Sequence, residues 1–194
     1  MPHIQVLDQI TIDKIAAGEV IERPASIVKE LVENAIDAGS TSVTVEIRDG
    51  GVDFIRVTDN GCGIAHDEVR SAFLRHSTTK IRHVADPLHI HSLGFRGEAL
   101  SSIPAGTRTE LTTKQAADER GTRYVIEGGK EVSFEETGAA NGTTFLVHQL
   151  FYNVPARRKF LKTPVTEAGH VQELLIHLSL SHPEVAFLFK SNNQ

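Results

Sequence analysis

Residues 24–39, PASIVKELVENAIDAG, have little choice of conformation. Pro24 suits a first helical turn, where its missing N–H is not needed, and Gly39 suits the position just past the last turn. Between them Ile27, Val28, Leu31, Val32, Ala35 and Ile36 recur at helical spacing and form one broad apolar face. A helix with a face this wide must be covered by another layer. Glu30, Asn34 and Asp37 follow at i, i+4 and i+7, so they share a narrow stripe at the margin of that face. A carboxylate there stands at the edge of the core, where a cleft would open. The same stripe is also what an ordinary solvated acidic edge looks like.

The rest of the chain supplies the covering layer. Residues 42–47 alternate as a half-buried strand, residues 49–51 (Asp-Gly-Gly) signal a tight turn, and residues 54–57 read as the returning strand. Residues 67–76 look helical, with Val69, Ala72 and Phe73 on one side, and residues 12–17 form a plausible short helix. Residues 77–97 show no sustained period, which in a compact domain marks a lid or binding loop. Further strands are expected at 108–113, 123–127, 131–135 and 143–148, with Gly128-Gly129 as a hairpin turn. Residues 165–180 read as a strongly amphipathic helix through Val171, Leu174, Leu175 and Leu178, with Pro183 beyond its end. A last strand follows at 185–189, and Ser191-Asn192-Asn193 reads as a hairpin turn with no returning strand, as in a fragment of a longer protein.

With 194 residues the chain suffices for one domain with a real core. Its net charge of −5 excludes a uniformly basic nucleic-acid binder but leaves room for a local patch. No apolar run is long enough to span a bilayer, and the opening MPHIQVLDQI lacks the basic-then-apolar order of a signal peptide. Cys62 is the only cysteine, so no disulfide can form within the chain, which fits a reducing compartment. A cytoplasmic protein without membrane contact is the expectation.

Three clusters could carry chemistry. In Asp59-Asn60-Gly61-Cys62-Gly63-Ile64 an aspartate at a strand end could accept a hydrogen bond from an exocyclic amine, and the glycines would let a flat ligand approach the backbone. A plain Asx turn is the other reading. Residues 94–100 look like a glycine loop opening a short helix, whose free N–H groups attract phosphate. A simple turn is the alternative, and no G-x-x-x-x-G-K-[ST] occurs anywhere. In the third cluster the amide oxygen of Asn34 could bind Mg²⁺ without adding charge, and Glu30, one turn earlier, could polarise an attacking water.

Taken in order, E-L-V-E-N-A-I-D-A-G, D-N-G-C-G-I, S-L-G-F-R-G-E-A-L and Gly142-Thr143-Thr144 resemble the GHKL ATPase family, which includes a DNA gyrase subunit, sensor histidine kinases and a heat-shock chaperone. I-A-A-G-E-V-I-E-R-P, R-H-S-T-T-K-I and F-Y-N-V-P-A-R-R-K-F-L are similar to the MutL family of DNA mismatch repair proteins. The resemblance covers essentially the whole chain. It implies an α+β Bergerat fold: a two-layer sandwich of mixed β-sheet with helices on one face. It implies ATP and Mg²⁺ as ligands, Glu30 as general base, and Asn34 as the Mg²⁺ ligand. It makes Ala38, Asp59, Gly63, Ile64 and Thr143 nucleotide-binding, with Asp59 on adenine, Gly63 beside the base and Thr143 in the base pocket. Residues 77–100 match the ATP lid, with Thr78, Thr79, Lys80, Leu93, Gly94, Phe95, Arg96, Gly97, Glu98, Ala99 and Leu100 near the nucleotide. One departure is Ser102-Ile103-Pro104-Ala105-Gly106, where small polar residues are expected; it bears on the local helix end rather than on chemistry.

The resemblance also implies slow ATP hydrolysis driving a nucleotide-gated clamp in repair, or else an interaction module with negligible turnover. Glu30 favours the first, because a pure binding site needs no base. A phosphotransferase shares the fold, but the motifs at 75–81 and 151–161 argue against it. Expected partners are a second copy through the arm at residues 1–20, the mismatch-recognition protein MutS, and DNA bound weakly without sequence preference. By the same family a lysine of a following domain completes the γ-phosphate site, so this chain alone is expected to be a monomer and a poor ATPase. Among the remaining residues, His83, His89 and His91 could suggest zinc, but no acidic or cysteine partner has the right spacing. Arg157, Arg158, Lys159 and Lys162 suit either a solvated surface or a phosphate-backbone contact. Cys62 is expected to be a small packing residue.

Overall fold

The computed structural model describes residues 21–74 and 99–192. The arm, the short helix at 12–17, His76, the irregular segment, Thr78, Thr79, Lys80, His83, His89, His91, Leu93, residues 94–98 and Asn193 lie outside the described residues.

Helix α1, Pro24–Asp37, starts with Pro24 in its first turn and ends as its punctuation dictates. Gly39 adopts φ +73°, its N–H reaches Ile36 O at 2.9 Å, and the Ser40 N–H reaches Ala35 O at 3.1 Å. This double closure satisfies two orphan carbonyls and needs a residue that tolerates the left-handed region. Ile27, Val28, Leu31, Val32 and Ala35 are buried, as the apolar period requires.

Seven strands form one mixed sheet: β1 Ser42–Arg48, β2 Phe54–Asp59, β3 Arg108–Lys114, β4 Gly121–Glu127, β5 Lys130–Thr137, β6 Gly142–His148 and β7 Ala186–Ser191. Their order is β5-β4-β3-β6-β2-β1-β7, with every pair antiparallel except β1 with β7. Short helices α2 (Val69–Ala72), α3 (Ala99–Ser102) and α4 (Pro155–Arg158) and the long α5 (Pro164–Ser181) complete the described elements. The period-2 alternation sorts the sheet faces. Val43, Val45, Ile47, Ile55, Val57, Leu111, Tyr124, Ile126, Phe145 and Val147 join α1 and α5 in one core. Burying each Val, Leu or Ile there contributes roughly 1.5–3 kcal/mol. The other face is polar. Glu46 pairs with Arg56, and Arg123 reaches Glu110 at 2.7 Å and Glu135 at 2.6 Å. Helices on one face of a mixed sheet is the architecture expected.

Two details differ from the sequence reading and one adds to it. The helix expected over 67–76 is, within the described residues, a 3-10 turn at His66–Glu68 and the single turn of α2. Helix α5 buries Val171 and Leu175, but Val165, Ile176 and Leu180 on its far side are exposed, so it is apolar on two sides. Asn192 stands in a turn at the end of β7 and is also held by the β1–β2 turn. Its N–H donates to Ile47 O at 3.0 Å and its Oδ1 accepts the Asp49 N–H at 3.1 Å, which closes β7 onto the β1–β2 turn. That turn runs left-handed through Asp49, Gly50 and Gly51. A Cβ on Gly50 would lie 2.5 Å from Pro164 O, so this glycine lets α5 start against the turn.

Candidate functional site

Helix α1 carries Glu30 and Asn34 on a half-buried flank, with Asp37 exposed one turn on. Their neighbours Leu31 and Ala35 are buried, which fixes how the helix can turn. The half-buried side-chain amide of Asn34 makes no hydrogen bond among the described residues. An amide oxygen in that position suits a hard cation such as Mg²⁺, which binds through one or two protein oxygens and keeps its waters. Among the described residues no cluster of three or more His, Cys, Asp or Glu could hold a metal by itself. Any Mg²⁺ held there would therefore draw its other ligands from water and phosphate.

Asp59 is the last residue of β2, opposite Val43 of β1 and Thr143 of β6. Its Oδ1 accepts the Gly61 N–H at 2.8 Å and the Ser40 hydroxyl at 3.2 Å. The Thr143 backbone N–H also donates to this carboxylate. Burial nevertheless outweighs these donors and raises the Asp59 pKa above its ordinary value. The bond to Gly61 N is an Asx turn, so the plain-turn reading of this stretch is present in the geometry.

The loop after Asp59 is fastened at each step. Asn60 Oδ1 accepts the N–H groups of Thr41 and Ser42 at 2.9 and 3.0 Å. The Cys62 N–H reaches Ala38 O, at the end of α1, at 3.0 Å. The Ile64 N–H reaches Thr113 Oγ1 on β3 at 2.9 Å. Both glycines are needed for this packing. A Cβ on Gly61 would sit 2.8 Å from Ala38 Cβ, and one on Gly63, where φ is +71°, would sit 2.3 Å from Lys114 O. Their small size fits the loop between α1 and β3, beside the close approach of a ligand that the sequence analysis expects of them. Cys62 is a correction: it is exposed, and its Sγ lies 3.4 Å from Gly63 O. The glycines on either side tuck inward against α1 and β3, so the residue between them points out.

Thr143 stands beside Asp59, and its hydroxyl lies 3.0 Å from that of Thr113. Thr113 was not visible as a site residue in the sequence. No motif contains it, and only the register of Asp59, Thr143 and Thr113 across β2, β6 and β3 brings it in. Leu100 packs against the core from α3, which ends at Ser102 before a 3-10 turn at Pro104–Gly106, where the departure from the family pattern falls. The Phe151 N–H donates to Gly106 O at 2.8 Å and Asn153 Nδ2 to Ala105 O at 2.9 Å. The start of the 151–161 motif thus braces the chain that emerges from α3. Arg158, Lys159 and Lys162 are exposed and Arg157 half-buried, and among the described residues none of them forms an ion pair.

The profile of the histidine kinase-, DNA gyrase B- and HSP90-like ATPase family matches residues 22–137. The DNA mismatch repair protein MutL of Agathobacter rectalis is 65% identical over 194 residues, covering 100% of this chain and 30% of that protein. The MutL of Caldanaerobacter subterraneus subsp. tengcongensis is 53% identical over 189 residues, covering 97% of this chain and 32% of that protein. The chain thus spans about a third of the length of the curated relatives it matches. The Aquifex aeolicus MutL ATPase domain complexed with ADP superposes with a TM-score of 0.73 at 35% identity, over 89% of this chain and 61% of that one. With the fold, the profile and these relatives in agreement, the chain belongs to the histidine kinase-, DNA gyrase B- and HSP90-like ATPase family, among its MutL ATPase domains.

Proposed function

We propose that this chain binds ATP with Mg²⁺ and hydrolyses it slowly, as the nucleotide-handling part of a DNA mismatch repair protein. The observation that carries this reading is the junction of α1 with β2. The Ser40 hydroxyl and the Ala38 carbonyl tie the end of the helix bearing Glu30 and Asn34 to the strand end and loop bearing Asp59. Asp59, acceptor-only when ionised, would take a hydrogen bond from an exocyclic amine. Asn34 would hold Mg²⁺, which would supply positive charge against the charge developing on the phosphates. Glu30 would draw a proton from water as its oxygen attacks the γ-phosphorus, with ADP leaving. Ala38, Gly63 and Ile64 would line the base side, and Thr143 would stand beside Asp59. Residues 78–80 and 93–100 would serve the phosphate side, a reading that the family likeness supports.

For the whole protein, the likeness to mismatch repair relatives supports a nucleotide-gated clamp. Its proposed partners are a second copy, MutS, and DNA held through phosphates without sequence preference.

Calorimetric titration with ATP and a phosphate-release assay test the site directly. Asp59→Asn should weaken ATP binding, because a charge-assisted acceptor becomes a neutral group that can turn a donor inward. Unchanged affinity would refute the adenine assignment. Release of phosphate by the parent chain separates an ATPase from a module that only binds.

A further inference from the structure

Ser40 stands one residue past the motif that ends at Gly39, and it is buried at 5% exposure. Its backbone is pinned by the closure of α1, where Gly39 turns at φ +73° and the Ser40 N–H reaches Ala35 O at 3.1 Å. The helix end thereby delivers the Ser40 hydroxyl to Asp59, 19 residues on. Asp59 Oδ1 receives two donors, the Gly61 N–H at 2.8 Å and this hydroxyl at 3.2 Å. An ionised carboxylate only accepts, with about two lone-pair sites on each oxygen, so the Ser40 proton lies on this contact. The two donors fill Oδ1. The lone pairs left for an incoming donor are on Oδ2.

Without the Ser40 proton, Oδ1 would keep an open lone pair, and a ligand's donor could settle on either oxygen. The carboxylate would also turn more freely, because the torsion that sets its plane has a broad minimum and depends on its partners for a fixed value. We infer that Ser40 is a positioning residue for nucleotide binding: by filling Asp59 Oδ1 it commits Oδ2 to the ligand and holds the carboxylate in one orientation. Ser40 touches no nucleotide in this account. It lies beyond the end of α1 and off the stripe of Glu30 and Asn34, so its effect falls on the base end of the site and leaves the phosphate end alone. The inference rests on the nucleotide-binding reading above.

The test is a calorimetric titration of this chain with ATP and with ADP, each with and without Mg²⁺. Ser40→Ala removes the proton and should weaken ATP and ADP alike, by about three- to tenfold. The Mg²⁺ dependence of ATP affinity reads the Asn34 end of the site, and it should keep its parental value. Damage to the end of α1 would act on Asn34 as well and reduce that dependence. Ser40→Thr keeps a hydroxyl and should hold both affinities within about twofold of the parent. Parental affinities in Ser40→Ala, an equal fall in Ser40→Thr, or a loss of the Mg²⁺ dependence in Ser40→Ala overturns the inference. Should Ser40→Ala fail to fold, Ser40→Gly takes its place and the same outcomes decide. If the parent binds both nucleotides and the variant changes neither affinity, only the role of Ser40 is lost. If the parent binds neither, the nucleotide-binding reading falls as well.

Discussion

Gly142→Ala is the substitution whose effect the structure determines most sharply. Gly142 opens β6 with φ +107°, a region L side chains rarely adopt. A Cβ there would lie 2.2 Å from Asp59 O, 3.0 Å from Asp59 C and 2.9 Å from Asn60 Cα. All three atoms are backbone, so no flexible side-chain end can give way. Against an ordinary carbon contact of about 3.5 Å the overlap with Asp59 O exceeds ~1 Å. The strained backbone costs about 1–3 kcal/mol and the forced repacking about 1–3 kcal/mol, so the total is roughly 2–6 kcal/mol. For a domain of this size each kcal/mol lowers Tm by about 2–4 °C, which predicts a fall of roughly 5–20 °C. The displaced atoms are the strand end that carries Asp59, so ATP affinity should fall with stability. Gly129→Ala is the matched control. Its φ is +81°, but no atom lies within 4 Å of the added Cβ, so backbone strain acts alone and costs about 1 kcal/mol. Thermal melts of the two variants beside the parent give the answer. If Gly142→Ala melts within about 2 °C of Gly129→Ala, steric closure at the Asp59–Gly142 contact is not what holds these strand ends together.

Glu30→Ala should spare ATP binding and cut hydrolysis about a hundredfold or more, measured by titration and steady-state phosphate release; abolished binding with an unchanged rate per bound ATP would reverse the assignment. Asn34→Ala should lose the Mg²⁺ dependence of ATP binding, read by titrating with and without the metal. Asp59 carries a pH signature. Burial raises its folded pKa above the ordinary 3.8, so its contribution to stability is present below that value and is lost as pH rises through the folded pKa. Asp59→Asn should therefore gain Tm relative to the parent, without nucleotide, as pH is raised from below 3.8 to neutrality; a relative gain greatest in acid would contradict the sign. Thr163 caps α5, its Oγ1 accepting the Thr166 N–H at 3.3 Å, so Thr163→Ala should cost about 0.5–2 kcal/mol in denaturant unfolding.

The helix that bears Glu30 and Asn34 was legible from its residues alone. A 3.6-residue apolar period and the Pro24 and Gly39 punctuation act within a few residues of chain, so nothing distant is needed to read them. The strands were legible for the same reason, since alternation such as Val43, Val45 and Ile47 states which side must be covered. Asp59 could be picked out because a carboxylate between a strand and paired glycines is a local pattern. What the glycines do was not local. Gly61, Gly63 and Gly142 each exclude a Cβ from a different distant segment: the end of α1, β3 and β2 respectively. The outward turn of Cys62 follows from that packing. Asn192 reads as part of a turn, which it is, but its hold on the β1–β2 turn 143 residues away in sequence was not legible. The apolar outer side of α5 stayed hidden because period alone shows that residues are apolar and spaced, while exposure depends on what packs beside them. Thr113 shows the division most clearly. Local chemistry gives it a hydroxyl in a strand, like Thr109 and Thr112. Only the pairing of β3 with β6, and of β6 with β2, sets that hydroxyl against Thr143 beside Asp59. Period and punctuation are properties of neighbouring residues, whereas strand register is a property of segments that meet only once the sheet has formed.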